Sequence, residues 1–231
     1  MAKTKEKKQG SEFYENPEVL AQQLSKTEEF IENNKKAVFG IGGIIALIIV
    51  AFFGYRYYMD NLNQTAQKES FQAVYWFENG EFDKAINGDG NNYGFLTILE
   101  DFGSTKTGNL ANYYLGSIYL QKGEFETAIE YLEAFSANDL LIQSRAYALM
   151  GDAYMQLGNY TLAAEQYGNA ADFNSTKQFT PSYLMKQALA YEKANELEKA
   201  KDSYKQVTEK YENSREYTEA QKYLSMLEAK K

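Results

Sequence analysis

The segment GSIYLQKGEFETAIEYL, residues 116–132, decides the fold of this chain, because its pattern recurs twice farther along. Residues 151–167 read GDAYMQLGNYTLAAEQY, and residues 188–204 read ALAYEKANELEKAKDSY. All three copies have Gly or Ala at position 1, Tyr at 4, Gly or Asn at 8, Ala at 13 and Leu or Tyr at 17. The second copy begins 35 residues after the first, and the third begins 37 residues after the second. A period of this length predicts stacked helix–turn–helix units.

Each shared position has a physical role in a pair of packed helices. A small residue at position 1 lets the second helix approach the first, and the Tyr at position 4 fills space between successive pairs. Position 8 ends the first helix, because the left-handed backbone conformation costs least for Gly and next for Asn. The Ala at position 13 marks the close crossing of the second helix. The residues at positions 1, 4, 8 and 13 are Gly116, Tyr119, Gly123 and Ala128, then Gly151, Tyr154, Gly158 and Ala163, then Ala188, Tyr191, Asn195 and Ala200.

These positions and this period are typical of the tetratricopeptide repeat (TPR). The sequence therefore predicts an all-α chain in which residues 109–142, 144–177 and 181–214 form three TPRs of an α-solenoid. The repeat tyrosines are core residues in this interpretation and not a cofactor site. Residues 215–231 are predicted to form the capping helix that gives a solenoid a polar outer face. The residues at helical spacing in that last segment are Ala220, Tyr223, Leu224 and Leu227.

A degenerate first copy is predicted within residues 56–108, after a linker helix. Trp76, Gly80 and Ala85 match positions 4, 8 and 13, but they lie 43 residues before their counterparts in the next copy. About nine residues are therefore inserted relative to the usual period of about 34. The insertion is the Gly- and Asn-rich stretch 87–94, after which a helical pattern resumes.

This insertion superficially resembles a calcium-binding loop. Such a loop needs oxygen ligands at positions 1, 3, 5 and 12 around a Gly at position 6. With Gly90 at position 6, Ala85 would be the first ligand and Leu96 the last, so the pattern fails. The stretch is better interpreted as a structural turn, with an exposed contact for a partner as the alternative.

Near the N-terminus, residues 37–55 form an uncharged apolar run, flanked by Lys35 and Lys36 on one side and Arg56 on the other. As a helix the run would reach roughly 28 Å, which is close to the thickness of the bilayer hydrocarbon core. We therefore expect a transmembrane helix; the alternative is a buried core helix. A cleaved signal peptide would have a shorter apolar run, nearer the N-terminus, followed by small residues.

The charges around the run predict its orientation, because Lys and Arg within about 20 residues of a span favour the cytoplasmic side. On the N-terminal side these are Lys26, Lys35 and Lys36, with Lys3, Lys5, Lys7 and Lys8 farther out, and on the other side Arg56 and Lys68. We expect residues 1–36 in the cytoplasm and the TPRs in the periplasm. Within this tail, Asn16 and Pro17 suit the start of a short amphipathic helix. Its apolar residues are Val19, Leu20, Leu24, Phe30 and Ile31.

The composition excludes several classes of function. The 231 residues include no His and no Cys, so there is no imidazole base, thiolate nucleophile or Cys/His zinc site. The net charge of −8 argues against nucleic acid as a partner. Nothing in the pattern brings two carboxylates into one pocket, so we expect no enzyme, no cofactor and no small-molecule substrate. The carboxylates considered are Glu124, Glu126, Asp152 and Glu192.

In TPR proteins that this chain resembles, the fifth, ninth, twelfth and thirteenth residues of each repeat face a groove. Carried over, these are Tyr113, Ser117, Leu120 and Gln121, then Ala148, Asp152, Met155 and Gln156, then Met185, Leu189, Glu192 and Lys193. Such a mixture of aromatic, aliphatic and polar side chains suits an extended or partly unfolded peptide. It lacks the Lys and Asn of a carboxylate clamp at the fifth and ninth positions. The alternative is that these are ordinary solvated or packing positions.

The layout also resembles the YfgM-like family of ancillary SecYEG translocon subunits. The resemblance rests on the Glu32-Asn33-Asn34-Lys35-Lys36 lead-in, one glycine-containing span, its exit through Gly54-Tyr55-Arg56-Tyr57-Tyr58, and the TPR array that follows. The insertion and the tyrosine-rich repeats differ from the enterobacterial pattern and look more like TPR proteins of Bacteroidota. The resemblance implies an inner-membrane protein whose periplasmic TPRs bind translocon subunits, emerging secreted polypeptides or periplasmic chaperones. A scaffold subunit of another cell-envelope assembly or secretion complex is the alternative.

Overall fold

The computed structural model describes residues 17–173 and 176–229, and these residues form eleven α-helices and no strand. The cap expected at Asn16, the four lysines before it and the last two residues of the capping segment lie outside the described residues. The helices are α1 (Pro17–Asn33), α2 (Lys35–Glu78), α3 (Phe82–Asn87), α4 (Phe95–Phe102), α5 (Lys106–Lys122), α6 (Phe125–Ala134), α7 (Leu140–Gln156), α8 (Tyr160–Phe173), α9 (Thr180–Lys193), α10 (Leu197–Lys210) and α11 (Tyr217–Ala229).

The chain divides into two compact units, residues 1–59 and 60–231. The first unit contains α1 and the beginning of α2. α2 is long enough and apolar enough to cross a membrane, and none of its most apolar window is buried. Leu47, for example, is 71% exposed. A core helix of a globular domain would bury such a surface, so the core-helix alternative does not describe this segment. On α1, Leu24 and Phe30 are also exposed.

The second unit is a stack of helix pairs. α5 packs against α6, α7 against α8, and α9 against α10, and each pair also packs against the next. α11 packs on α10 and buries Ala220 and Leu227. The all-helical TPR solenoid and its last helix therefore agree with the fold predicted from the sequence.

The same turn ends the first helix of every pair, including the degenerate one. Gly80, Gly123, Gly158 and Asn195 have φ angles of 74°, 80°, 75° and 60°. In each case the next backbone N–H donates to the carbonyl of the Trp or Tyr at position 4, over 2.8–2.9 Å. This bond is the long bond of a Schellman motif, which needs a left-handed residue directly before its donor. The recurring turn supports the alignment of all four copies.

The insertion divides the second helix of the degenerate pair into α3 and α4. The Asp89 carboxylate accepts hydrogen bonds from the backbone N–H groups of Asn91 and Asn92, over 2.9 and 2.8 Å. A Cβ on Gly94 would lie 2.5 Å or less from the backbone of Ile86 and Gly88, so the loop is tightly closed. The only carboxylate of this loop is thus used inside it, which supports the interpretation as a structural turn.

Close approach between paired helices depends on the small residues of the repeat. Ala85, Ala128, Ala163 and Ala200 at position 13 are all fully buried. A Cβ added to Gly116, at position 1, would lie 2.5 Å from the side chain of Leu132. A Cβ added to Gly151 would lie 2.6 Å from the ring of Tyr167. The side chain at position 17 of the same repeat thus fills the space that a side chain at position 1 would need. In the degenerate copy position 1 is Ala73, which is also fully buried and which the sequence pattern did not identify.

Candidate peptide-binding groove

The predicted groove residues all lie on the first helices of the three pairs. Four lie on α5, four on α7 and four on α9. Gln121, Gln156, Leu189 and Lys193 are exposed. Ser117 and Ala148 are each only 6% exposed, so they are packed inside the solenoid and leave little surface for a ligand. The half-buried residues are Tyr113, Leu120, Asp152, Met155, Met185 and Glu192.

Both carboxylates among the predicted groove residues have partners within the solenoid. Asp152 accepts a hydrogen bond from the Tyr167 hydroxyl over 2.6 Å, and it forms an ion pair with the Lys186 ammonium over 2.7 Å. Glu192 accepts a hydrogen bond from the Tyr204 hydroxyl over 2.6 Å. In both repeats a position-17 tyrosine therefore donates to a carboxylate on the first helix of its own pair. These carboxylates orient the buried rings of the second and third repeats, which is a structural role.

The two buried tyrosines predict a loss of stability at alkaline pH. Burial raises the pKa of Tyr167 and Tyr204, and the hydrogen bond to Asp152 or Glu192 raises it further. Because the pKa in the folded state lies above the value of about 10 in an unfolded chain, the unfolded state loses its protons first. The stabilising contribution is therefore complete below about pH 10 and is lost as pH rises through the folded-state pKa.

We expect the unfolding free energy, measured by urea titration at increasing pH, to fall less steeply above about pH 10 in the Tyr167→Phe/Tyr204→Phe variant than in the unmodified chain. The relevant quantity is the slope with pH, since removing two hydroxyls also changes stability at neutral pH. Tyr93→Phe, at a partly exposed tyrosine, is the matched control and should keep the original slope. An unchanged slope in the double variant would contradict the assignment.

A pocket of about 250 Å³ lies along the first helices of all three repeats. Its residues come from α5, from the beginning of α7, and from the beginning of α9 with the residue before it. They are Tyr113, Leu141, Ile142, Ser144, Arg145, Phe179 and Tyr183. Of the predicted groove residues only Tyr113 is among them. The pattern of the fifth, ninth, twelfth and thirteenth positions missed the rest, because they lie near the beginnings of α7 and α9, before the fifth position of each repeat.

The pocket combines apolar walls with one positive charge. Arg145 is exposed and forms no ion pair or hydrogen bond with the residues that the structure describes. Burial raises the pKa of Tyr113 and of Tyr183, and the nearby Arg145 guanidinium opposes that rise in both. The positive charge of Arg145 thus favours the ionised form of both phenol groups. Arg145 is one of only three arginines in the chain, with Arg56 and Arg215. This scarcity is the one feature of the sequence that could have pointed to Arg145.

The buried hydroxyl of Ser144 is the second polar feature of the pocket. Ser144 is 2% exposed, and its Oγ has no hydrogen-bond partner in the described part of the chain. Most buried polar atoms are hydrogen-bonded, so an unpaired one is uncommon. Within residues 17–173 and 176–229, by contrast, no group of three or more acidic side chains is placed to hold a metal ion. The pocket is therefore suited to hold a polar ligand group through hydrogen bonds and charge.

Comparisons with known proteins agree with the repeat geometry. Residues 113–179 match one tetratricopeptide repeat family model, and residues 182–214 match a second. The comparison with curated proteins found no match. The matched segments contain the α5–α10 pairs, from Tyr113 onward, that build the groove and the pocket. Residues 113–179 and 182–214 of this chain are therefore tetratricopeptide repeats.

Proposed function

We propose that this protein is a non-catalytic, membrane-tethered module that binds other proteins through the first helices of its TPRs. TPR domains bind proteins in general, and the observation that carries the proposal is the pocket spanning three successive first helices. Such a surface crosses repeat boundaries, as an extended peptide does when it lies along a solenoid. The carboxylates Asp152 and Glu192 have tyrosine and lysine partners, which supports a binding role over a catalytic one.

Residues 37–55 are proposed as the tether, with the N-terminus in the cytoplasm and the TPRs in the periplasm. The excess of lysines before the apolar run supports this orientation. Tethering raises the effective concentration of the binding surface near a membrane complex, so weak contacts are sufficient there. Reporter enzymes fused after Lys231 test the orientation, and activity of a cytoplasmic reporter would contradict it.

The proposed setting is the Sec translocon, where the TPRs would bind emerging secreted polypeptides, translocon subunits or periplasmic chaperones. The support is the resemblance to ancillary SecYEG subunits in the lead-in, the exit of the span and the TPR array. The alternative role, as a scaffold subunit of another envelope complex, uses the same anchor and repeats. The translocon role and the scaffold role therefore differ only in the partner that the TPRs bind.

Photo-crosslinking in cells tests both the surface and the partner. A photoreactive amino acid at Gln156 or Leu189, which are exposed on first helices, should crosslink to translocon subunits, chaperones or secreted chains. The same amino acid at Glu165, exposed on the second helix α8, is the matched control and should not. Crosslinks to one stable envelope complex would favour the scaffold role. Equal crosslinking from Glu165 would contradict the groove.

A further inference from the structure

The pocket beside Arg145 has two polar groups without a partner of their own. Arg145 lines the pocket together with Tyr113 and Tyr183, and no carboxylate pairs with it in the described ranges. Six described lysines of the repeat unit form ion pairs and the others do not, so what distinguishes Arg145 is its place in the pocket.

The second unpartnered group is the Ser144 hydroxyl in the same pocket. Its Oγ is buried and unpaired although it could donate one hydrogen bond. A buried hydroxyl without a bond costs free energy that a bound acceptor would recover. Ser144 and Arg145 both line this pocket, Ser144 from the buried side of α7 and Arg145 from its exposed side. A ligand group that pairs with Arg145 must carry negative charge, and one that bonds the Ser144 hydroxyl must accept a hydrogen bond.

The remaining walls are apolar. Leu141, Ile142 and Phe179 line the same pocket, together with the rings of Tyr113 and Tyr183. Such walls accommodate an aliphatic or aromatic side chain next to a group whose hydrogen bond to the Arg145 guanidinium is charge-assisted. The volume of about 250 Å³ suits one or two side chains rather than a folded element.

We propose that this pocket binds an Asp or Glu side chain that neighbours an apolar residue in an extended segment of a partner protein. The carboxylate pairs with the Arg145 guanidinium, while the apolar neighbour packs on Leu141 and Phe179. The Ser144 hydroxyl, whose Oγ is covered in the free protein, donates to the carboxylate after its side chain rotates into the pocket. This inference rests on the proposed function and adds the chemical class of the segment that is bound. Because residues of three repeats line the pocket, the bound segment continues on both sides of the carboxylate. The carboxylate therefore belongs to a side chain and not to a chain terminus.

Selection from a display library tests the proposal on the full-length protein in detergent micelles. The probe is a library of short random segments flanked on both sides by constant sequence, so that none ends in a free carboxylate. The unmodified protein should enrich segments with Asp or Glu next to an apolar residue. Arg145→Glu should instead enrich Lys or Arg, since the charge of the site is reversed.

Affinities of one enriched segment, made as a peptide blocked at both ends, give the size of the effect. Arg145→Gln should weaken binding about tenfold or more, as expected for a lost charge-assisted hydrogen bond. Replacing the acid of the peptide by its amide should cost a similar factor and have little further effect on Arg145→Gln. Ser144→Ala should weaken binding about threefold to tenfold without lowering the melting temperature of the free protein, because its hydroxyl has no partner to lose. Lys222→Gln, at an exposed cation of α11 outside this pocket, is the matched control and should bind like the unmodified protein.

Each other outcome has a distinct meaning. Enriched segments without acidic residues, or equal binding by Arg145→Gln and the control, would overturn the inference and leave the peptide-binding function intact. Tighter binding of the same peptide when its acid forms a free C-terminus would also overturn it, in favour of a chain terminus as the ligand. If no segment is enriched by the unmodified protein, the proposed peptide binding fails and the inference fails with it.

Discussion

Tyr204→Ala is expected to lower the free energy of unfolding of the repeat unit by about 3–5 kcal/mol, the range for truncating a fully buried aromatic ring. Tyr204 is 1% exposed and packs with Ala188, Ala200 and Leu227. Its ring stacks on Tyr223 of α11 with centroids 5.5 Å apart. Truncation therefore leaves a cavity between the last TPR and the final helix, and it also removes the hydroxyl that Glu192 accepts from.

Two variants separate the contributions to this loss. Tyr204→Phe keeps the ring and removes only the hydrogen bond, so we expect a loss of about 1 kcal/mol. Tyr75→Ala, at a tyrosine that is 53% exposed, should change stability by less than about 0.5 kcal/mol. Urea unfolding of the full chain in micelles, followed by far-ultraviolet circular dichroism, measures all three. A loss in Tyr204→Ala no larger than in Tyr75→Ala would show that the ring is not part of the core.

Gly151→Leu is the second change with a large expected effect, about 3 kcal/mol of lost stability from overpacking. Its Cβ alone would lie 2.6 Å from the ring of Tyr167. That ring is buried and its hydroxyl is bound to Asp152 over 2.6 Å, so it cannot move aside without breaking the hydrogen bond. Because α7 also carries Arg145, we expect peptide binding to be lost together with stability.

Gly168→Ala is the matched control for this change. A Cβ there would meet the Nε2 atom of Gln187 at 2.5 Å, which is the end of a flexible side chain and not a buried ring. The Gln187 amide donates to the Ala164 carbonyl over 3.3 Å and accepts from the Ser203 hydroxyl over 3.0 Å, so moving it aside weakens two hydrogen bonds at a cost of about 1 kcal/mol. The preference of Ala over Gly in a helix, about 1 kcal/mol, offsets this cost. We expect stability close to that of the unmodified chain. Equal unfolding midpoints for Gly151→Leu and Gly168→Ala would contradict the close packing at position 1.

The repeat positions could be predicted from sequence because each depends on local chemistry. A left-handed residue such as Gly123 or Asn195 is required wherever the first helix ends, whatever the rest of the chain does. Gly151 and Tyr167 are likewise a small and a large residue at a constant separation within one repeat. The insertion was recognisable for the same reason, since it breaks the period between Ala85 and the next copy.

The pocket could not be predicted in this way, because it depends on contacts between repeats. Tyr113 and Tyr183 are 70 residues apart in sequence, and they line one pocket only because α5, α7 and α9 stack in succession. The lack of a partner for Arg145 is also a property of its surroundings, as many carboxylates are available in the sequence. The position rule therefore found Tyr113 and missed Ser144 and Arg145.

The sequence by itself determined the helix-pair repeat, the turn that ends each first helix, the final helix and the apolar run of residues 37–55. These follow from backbone preference and from hydrophobic spacing, which act within about one repeat length. Only the tertiary structure decided which side chains meet across repeats. It paired Asp152 with Lys186 of the next repeat, and it left Ser144 and Arg145 unpaired in one pocket lined by three repeats. The reason is that burial and pairing depend on how successive helices stack, and no single repeat contains that information.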